Sequence, residues 1–337
     1  MKTALQRLPL LGIVIVATAC DNVEWGGVAF GLRSPSESLV SDAPPEVVEV
    51  AEDTVTTKPS LGLVLYLGHR AGGEATLVPV AEIGPNGLVV LEGTGSAEAS
   101  RSFVAEHLTL GQELTLFSDG VRVGSLSAAE FSVDERYCRV RPQIRGPIEL
   151  TPAGATVQKF LALPAREGRK FAYSTYAPVV QTRDLRVESL TAMQQVIPAV
   201  GALWPASVLD IRRDIQMFRA RPGGAPTVVA TFSYADDLFV GPAPLGAYSV
   251  FLTADDNDGT GYESSYVDYR LVSRDGKGAA RYFDHLDVDG DGIEELVLEV
   301  MGEESMWLST LNRRGGVWVE EYRDPCGLPP RPSQPAP

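Results

Sequence analysis

The stretch that most constrains this chain is Asp287-Val288-Asp289-Gly290-Asp291-Gly292-Ile293-Glu294-Glu295. Carboxylates stand at its positions 1, 3, 5 and 9 and glycines at 4 and 6, and the apolar run at 296–300 that follows reads as a strand. Alternate residues of a tight turn aim their oxygens at one point, and a hard cation such as Ca²⁺ takes about six to eight oxygens. Gly292 permits the sharp turn, and Ile293 at position 7 offers its backbone carbonyl. Two carboxylates about 4 Å apart repel by about 1 kcal/mol in water and about 4 kcal/mol at an effective dielectric near 20. A folded loop that gathers these acids therefore needs a cation, whereas a splayed, solvated Asp-Gly turn between two strands does not.

The loop opens like an EF-hand, but the bidentate Glu that an EF-hand places at position 12 is Leu298 here. Asp-x-Asp-x-Asp-Gly-x-x-acid followed by a strand resembles instead the calcium loop of FG-GAP repeats, also called VCBS or integrin-alpha-like repeats. In that family single blades of a β-propeller carry the loop between adjacent strands. The resemblance covers about forty residues, 282–322. It implies Ca²⁺ held by Asp287, Asp289, Asp291, the Ile293 carbonyl and Glu295, with Glu in place of the family's usual Asp at position 9.

An echo of the loop precedes it. Asp256-Asn257-Asp258-Gly259-Thr260-Gly261-Tyr262-Glu263 shares the skeleton Asp-x-Asp-Gly-x-Gly-x-Glu. Thr260 replaces the third Asp, and Ser264 stands where Glu295 supplies the ninth-position ligand. Asp256, Asp258 and Thr260 are thus a candidate weaker second metal site, or else a hairpin with turn-forming residues. Two loops fall short of the roughly four to eight blades of a closed propeller. A blade-like sheet inside a β domain is the expected form.

The start of the chain carries export signals. Lys2 and Arg7 give a charged beginning, 8–16 an apolar core, and Ala17-Thr18-Ala19 a small-residue cleavage region, so 1–19 reads as a signal peptide. Cys20 follows at once. The arrangement resembles the lipobox of bacterial lipoproteins, with Ala17 where Leu is usual, and implies that Cys20 becomes the acylated first residue of the mature chain. Several acyl chains make a stable anchor where one is marginal. The alternative is an ordinary secretory peptide with an incidental cysteine. Residues 20–60, with Ser34-Pro35-Ser36 and Ala43-Pro44-Pro45-Glu46, read as an acidic, disordered tether, and 327–337 as a disordered Pro-rich tail.

Export fits the cysteines. Of the three in the chain, Cys138 and Cys326 remain after Cys20, an even pair in an oxidising compartment. A disulfide between them competes with two buried free thiols. The formal net charge of −15 argues against nucleic acid, which needs clustered Lys and Arg. The expected location is the bacterial cell envelope, lipid-anchored and facing the periplasm or the cell surface. The expected contacts are the membrane, through the anchor, and a protein or glycan partner.

Between the flanks the pattern is mainly β. Leu61, Leu63, Leu65 and Leu67 alternate with Gly62, Val64, Tyr66 and Gly68, a period of two. Further strands are expected at 74–83, 88–91, 113–117 and 121–124, the last two joined by the hairpin signal Ser118-Asp119-Gly120, with a short helix at 97–108. These make 61–150 a small β-rich domain. In 151–326, a second β-rich domain, a helix is expected at 184–197, capped by Thr182 or Asp184 and ended by Pro198. Strands are expected at 209–219, 227–234, 248–253, 266–272, 280–283, 296–300, 307–311 and 317–322. The predicted fold class is mainly β with propeller-blade-like strands and few short helices. Trp307, Trp318 and Tyr322 are expected in the core.

Catalysis has little support. No Gly-x-Ser-x-Gly, His-Glu-x-x-His or Walker-type loop occurs, and the three histidines, His69, His107 and His285, are scattered. His285 at most touches the outer shell of the acidic loop. The reading is a membrane-anchored binding or envelope-structural module with a structural Ca²⁺; the alternative is an exported hydrolase acting on envelope polysaccharide. Mass spectrometry of the mature N-terminus is expected to find a lipid-modified Cys20, and an unmodified N-terminus at any other residue contradicts the lipobox assignment.

Overall fold

The computed structural model describes residues 61–85, 87–165 and 176–327, all within the compact unit Thr57–Pro337. The signal peptide, Cys20, the tether to residue 60 and the tail beyond Gly327 lie outside the described residues.

Strands with apolar side chains on both faces build the first sheet. They are Leu63–Ala71 (β1), Glu74–Gly84 (β2), Gly87–Val89 (β3), Glu113–Ser118 (β4), Val121–Ser127 (β5), Glu130–Asp134 (β6), Arg141–Leu150 (β7) and Lys159–Pro164 (β8), with helix Ala97–His107 (α1) between β3 and β4. Their order is β3-β2-β1-β8-β4-β5-β7-β6, and β2 also pairs with β7 from Glu74↔Pro147 to Leu77↔Ile144. That pairing closes β2, β1, β8, β4, β5 and β7 into a barrel, leaving only the short strands β3 and β6 as edges. One set of side chains, among them Val64, Tyr66, Leu77, Leu116, Val123 and Phe160, forms a core with Phe103 and Leu108 of the α1 segment. The Ser96 hydroxyl caps α1 by accepting from the Ala99 amide at 3.1 Å.

The alternate set faces outward and is equally apolar. Leu65, Leu67, Val78, Phe117 and Leu161 pack against Phe283, Leu286, Val297, Leu308 and Tyr322. Those partners belong to a sheet of Ala279–Leu286, Glu295–Met301, Met306–Arg314 and Val317–Arg323. Before it in the chain comes helix Arg183–Val200 (α2) and a sheet of Arg212–Phe218 (β9), Thr227–Tyr234 (β10), Tyr248–Asp255 (β11) and Glu263–Leu271 (β12), then a helical turn, Val272–Asp275 (α3). The later sheet is therefore β13 to β16. Each four-stranded sheet is an antiparallel meander, ordered β12-β11-β10-β9 and β13-β14-β15-β16.

The β13–β16 sheet is the central layer. Its other face, with Tyr282, Leu296, Leu298, Trp307 and Trp318, packs on Phe218, Val229 and Phe251 of the β9–β12 sheet. The outer face of that second sheet buries Met193, Val196 and Ile197 of α2 against Val228, Phe232, Val250 and Leu252. The chain is thus mainly β, as the sequence indicates, and Trp307, Trp318 and Tyr322 are core residues. Strand β14 is buried at all seven positions, as expected for a strand covered on both faces. Among the described residues no helix is long and apolar enough to cross a membrane.

Three local expectations differ from the structure. The first sheet runs past residue 150 to Pro164, because β8 fills the gap between β1 and β4. Helix α2 continues through Pro198 to Val200. A proline so near the C-terminus removes a single helical hydrogen bond, and Gly201, left-handed at φ 66°, caps the end by donating its amide to the Ile197 and Pro198 carbonyls. Strand β9 begins at Arg212 because 207–212 turn on themselves, with the Asp210 amide on the Ser207 carbonyl and the Arg212 amide on that of Leu209.

Two links tie the barrel to the central sheet. Cys138 and Cys326 form a disulfide with Cα atoms 5.9 Å apart across 188 residues, a closure worth at most about 5 kcal/mol in the chain-entropy model. Beside it Arg141 on β7, 2 % exposed, donates to Asp324 and to the Pro79 and Val80 carbonyls of β2. Asp324 also accepts from the Tyr322 hydroxyl at 2.8 Å and the Leu308 amide at 2.9 Å. Removing one partner of a buried pair strands the other charge, at about 3–5 kcal/mol, whereas exposed pairs contribute about 1 kcal/mol or less. In urea unfolding with the disulfide intact, Arg141→Ala is expected to destabilise by about 3–5 kcal/mol. Arg145→Ala, which breaks the exposed pairs with Glu74 and Glu130, is expected to cost about 1 kcal/mol or less; equal losses contradict the assignment.

Candidate metal centre

The acidic loop connects β13 to β14 at one end of the central sheet. Its backbone is set by its own carboxylates. Asp287 accepts from the Gly290 amide at 2.7 Å and the Gly292 amide at 3.0 Å, Asp289 from the Asp291 amide at 3.0 Å, and Asp291 from the Ile293 amide at 2.7 Å. Gly290 and Gly292 are left-handed, at φ 84° and 86°, a conformation that disfavours a side chain. This winding turns the acids toward one another.

Asp287, Asp289 and Glu295 each bring a carboxylate oxygen into a group whose atoms lie within 4.8 Å of one another. Asp291, expected as a fourth carboxylate ligand, is outside that group. Glu295 is 1 % exposed. Its Oε2 accepts from the Val288 amide at 2.6 Å, while its Oε1 is buried without a partner. Burial, reinforced by Asp289, Glu321 and Asp287, pushes the Glu295 carboxyl up to about 9. Burial and the neighbouring Asp289 and Asp291 also raise Asp287. An all-oxygen donor set with an unsatisfied buried carboxylate fits a hard divalent cation.

Glu321 on β16 was not singled out in the sequence. It interacts electrostatically with Asp289 and Asp291, and it also pairs with Arg314 at 3.6 Å. Its only sequence signal is a place on a strand that pairs two strands away from the loop.

The echo loop winds the same way. Asp256 accepts from the Gly259 and Gly261 amides at 2.8 and 3.3 Å, and Asp258 from the Thr260 amide at 3.0 Å. The Thr260 hydroxyl donates to Asp258 at 2.6 Å. Among the described residues no third acid, histidine or cysteine gathers with Asp256 and Asp258. Asn257 instead accepts from Arg313. The loop also joins β11 to β12, the last two strands of its meander, whereas the 287–295 loop joins the first two of its own.

His285 does not join the group formed by the acidic loop. It is buried against Phe218, with ring centroids 4.5 Å apart, and its Nδ1 lies 2.6 Å from the Tyr282 hydroxyl. Burial pulls it down to about 3, keeping the imidazole neutral. Of the other histidines, His107 packs at a tilt against Phe103 with ring centroids 4.8 Å apart, and His69 lies 3.6 Å from Glu299. Burial raises Glu299, but His69 and Arg281 outweigh it and hold the carboxyl near 2. Neither histidine belongs to a group of metal-ligating side chains among the described residues.

Against family models, curated proteins and solved structures, the chain matches none.

Proposed function

We infer that this protein is an exported, lipid-anchored module of the bacterial envelope whose folded body is braced by Ca²⁺ at Asp287, Asp289 and Glu295. It serves as a binding or structural unit held out from the membrane, toward a protein or glycan partner. The observation that carries the metal is the unpartnered, buried Oε1 of Glu295 among converging carboxylates. The FG-GAP-like spacing of 287–295 supports the same ion, and the Ile293 carbonyl supplies a further oxygen in that reading. The anchor rests on the signal-like start leading to Cys20. The module reading, rather than the hydrolase, is supported by the scattered histidines and by acids spent on the loop and on internal pairing.

The ion joins the two ends of a hairpin of the central sheet, so its binding adds to the stability of the whole body. Extracellular-type sites bind calcium with constants of about 0.1–1 mM. At about 1 mM free Ca²⁺ and a constant near 0.1 mM, the gain is roughly 1.4 kcal/mol, which raises the melting temperature by a few degrees. Asp289→Asn and Glu295→Gln are expected to abolish the calcium-dependent shift, while Asp258→Asn in the echo loop leaves most of it. Magnesium is expected to substitute poorly, because it demands a smaller octahedral shell. Melting curves with calcium, magnesium and chelator check this, and a wild-type curve indifferent to all three contradicts it.

A further inference from the structure

A second group of ligating side chains forms where the barrel meets the central sheet. Asp119, in the turn between β4 and β5, comes together with Asp284 and His285 of β13, each offering a ligand atom within 4.8 Å of the others. They are brought there by backbone. The Asp119 amide donates to Asp284 Oδ1 at 3.0 Å across 165 residues, and the Gly120 amide donates to the His285 carbonyl at 3.2 Å. Asp119 itself is left-handed at φ 47°, a conformation that aspartate and asparagine tolerate better than most residues.

Asp284 is 3 % exposed. Its Oδ1 accepts from the Asp119 amide, the His285 amide at 2.8 Å and the Tyr282 hydroxyl at 3.4 Å, but its Oδ2 has no partner. Among the described residues its one ion-pair neighbour is His285, at 3.6 Å, and Asp119 has no lysine or arginine on it. Glu294 closes in from the acidic loop: a Cβ on Gly120 would stand 2.6 Å from both of its oxygens. The Tyr282 hydroxyl lies 2.6 Å from Nδ1, the imidazole nitrogen that stands 3.6 Å from Asp284 Oδ1, so ligation through Nδ1 displaces that hydroxyl.

We propose that Asp119, Asp284 and His285 form a second metal centre, distinct from the 287–295 loop, that takes a divalent ion of the Zn²⁺ or Mn²⁺ class. One imidazole with two carboxylates suits these ions, whereas the oxygen-only loop suits calcium. Because Asp119 comes from the barrel and the other two from β13, the ion ties the barrel turn to the central sheet.

The test uses the full chain, stripped with chelator and then held in excess Ca²⁺ so that the 287–295 loop is filled. Mn²⁺ is titrated in and followed by the loss of its free-ion electron paramagnetic resonance signal; Zn²⁺ is followed by calorimetry. One equivalent of Mn²⁺ or Zn²⁺ is expected to bind in the presence of calcium. Asp119→Asn, compatible with the left-handed turn, is expected to weaken it roughly tenfold or more, and Asp284→Asn likewise. Asp289→Asn, in the other loop, is expected to leave it intact. The proposal is overturned if neither ion binds above calcium, if binding survives in Asp119→Asn, or if it is lost in Asp289→Asn while Asp119→Asn retains it. Should Asp284→Asn fail to fold, the Asp119 and Asp289 variants decide the matter.

Discussion

The β13–β16 sheet is buried on both faces, and that constraint governs the charges around it. A carboxylate or guanidinium on such a sheet has no water to turn to, so each must meet a partner inside the protein. Most do. Arg141 meets Asp324 under Tyr322, Arg281 and His69 meet Glu299, and Asp255 at the end of β11 takes the Trp318 indole at 2.9 Å and the Ser265 hydroxyl. These networks bridge layers, so the barrel, the central sheet and the second sheet are positioned by polar contacts as well as by apolar packing.

The balance fails at one end. Among the described residues the buried carboxylate oxygens without a partner belong to Asp284, Glu294 and Glu295, all next to the β13–β14 connection. The neighbours there are further acids, Asp119, Asp287 and Asp289, and burial raises all three orphaned carboxyls. A protein that pairs its interior charges elsewhere and leaves them unpaired together in one place has an arrangement suited to cations. In the proposed function calcium takes the all-oxygen part of this region, and in the further inference an ion that accepts nitrogen as well as oxygen takes the other.

Much of this was legible in the sequence, for identifiable reasons. Period-two alternation marked β1, and apolar runs bounded by Gly and Pro marked most strands of the two meanders. Ser, Thr and Gly at the helix ends account for the caps of α1 and α2. The acidic loop was marked by its spacing, and the fold gathers Asp287, Asp289 and Glu295 of it but not Asp291. The cysteine pair followed from parity. Strand β7 was missed because Pro142, Gly146 and Pro147 argue against a strand; the barrel tolerates them because Pro142 and Pro147 sit opposite Val133 and Glu74 in registers that the ladder accommodates. Arg141 looked like an ordinary surface arginine, since only the fold brings Asp324 to it. The same is true of Asp119 and Asp284: one stands in a hairpin signal, the other just past the expected strand 280–283, and 165 residues separate them.

In the proposed function Asp287, Asp289 and Glu295 hold calcium. Calorimetric titration of Ca²⁺ into the chelator-stripped full chain tests it without relying on stability. A saturable heat for one site with a dissociation constant of about 0.1–1 mM is expected, absent from the Glu295→Gln protein. No saturable heat in the wild-type chain, or the same isotherm after Glu295→Gln, would contradict it.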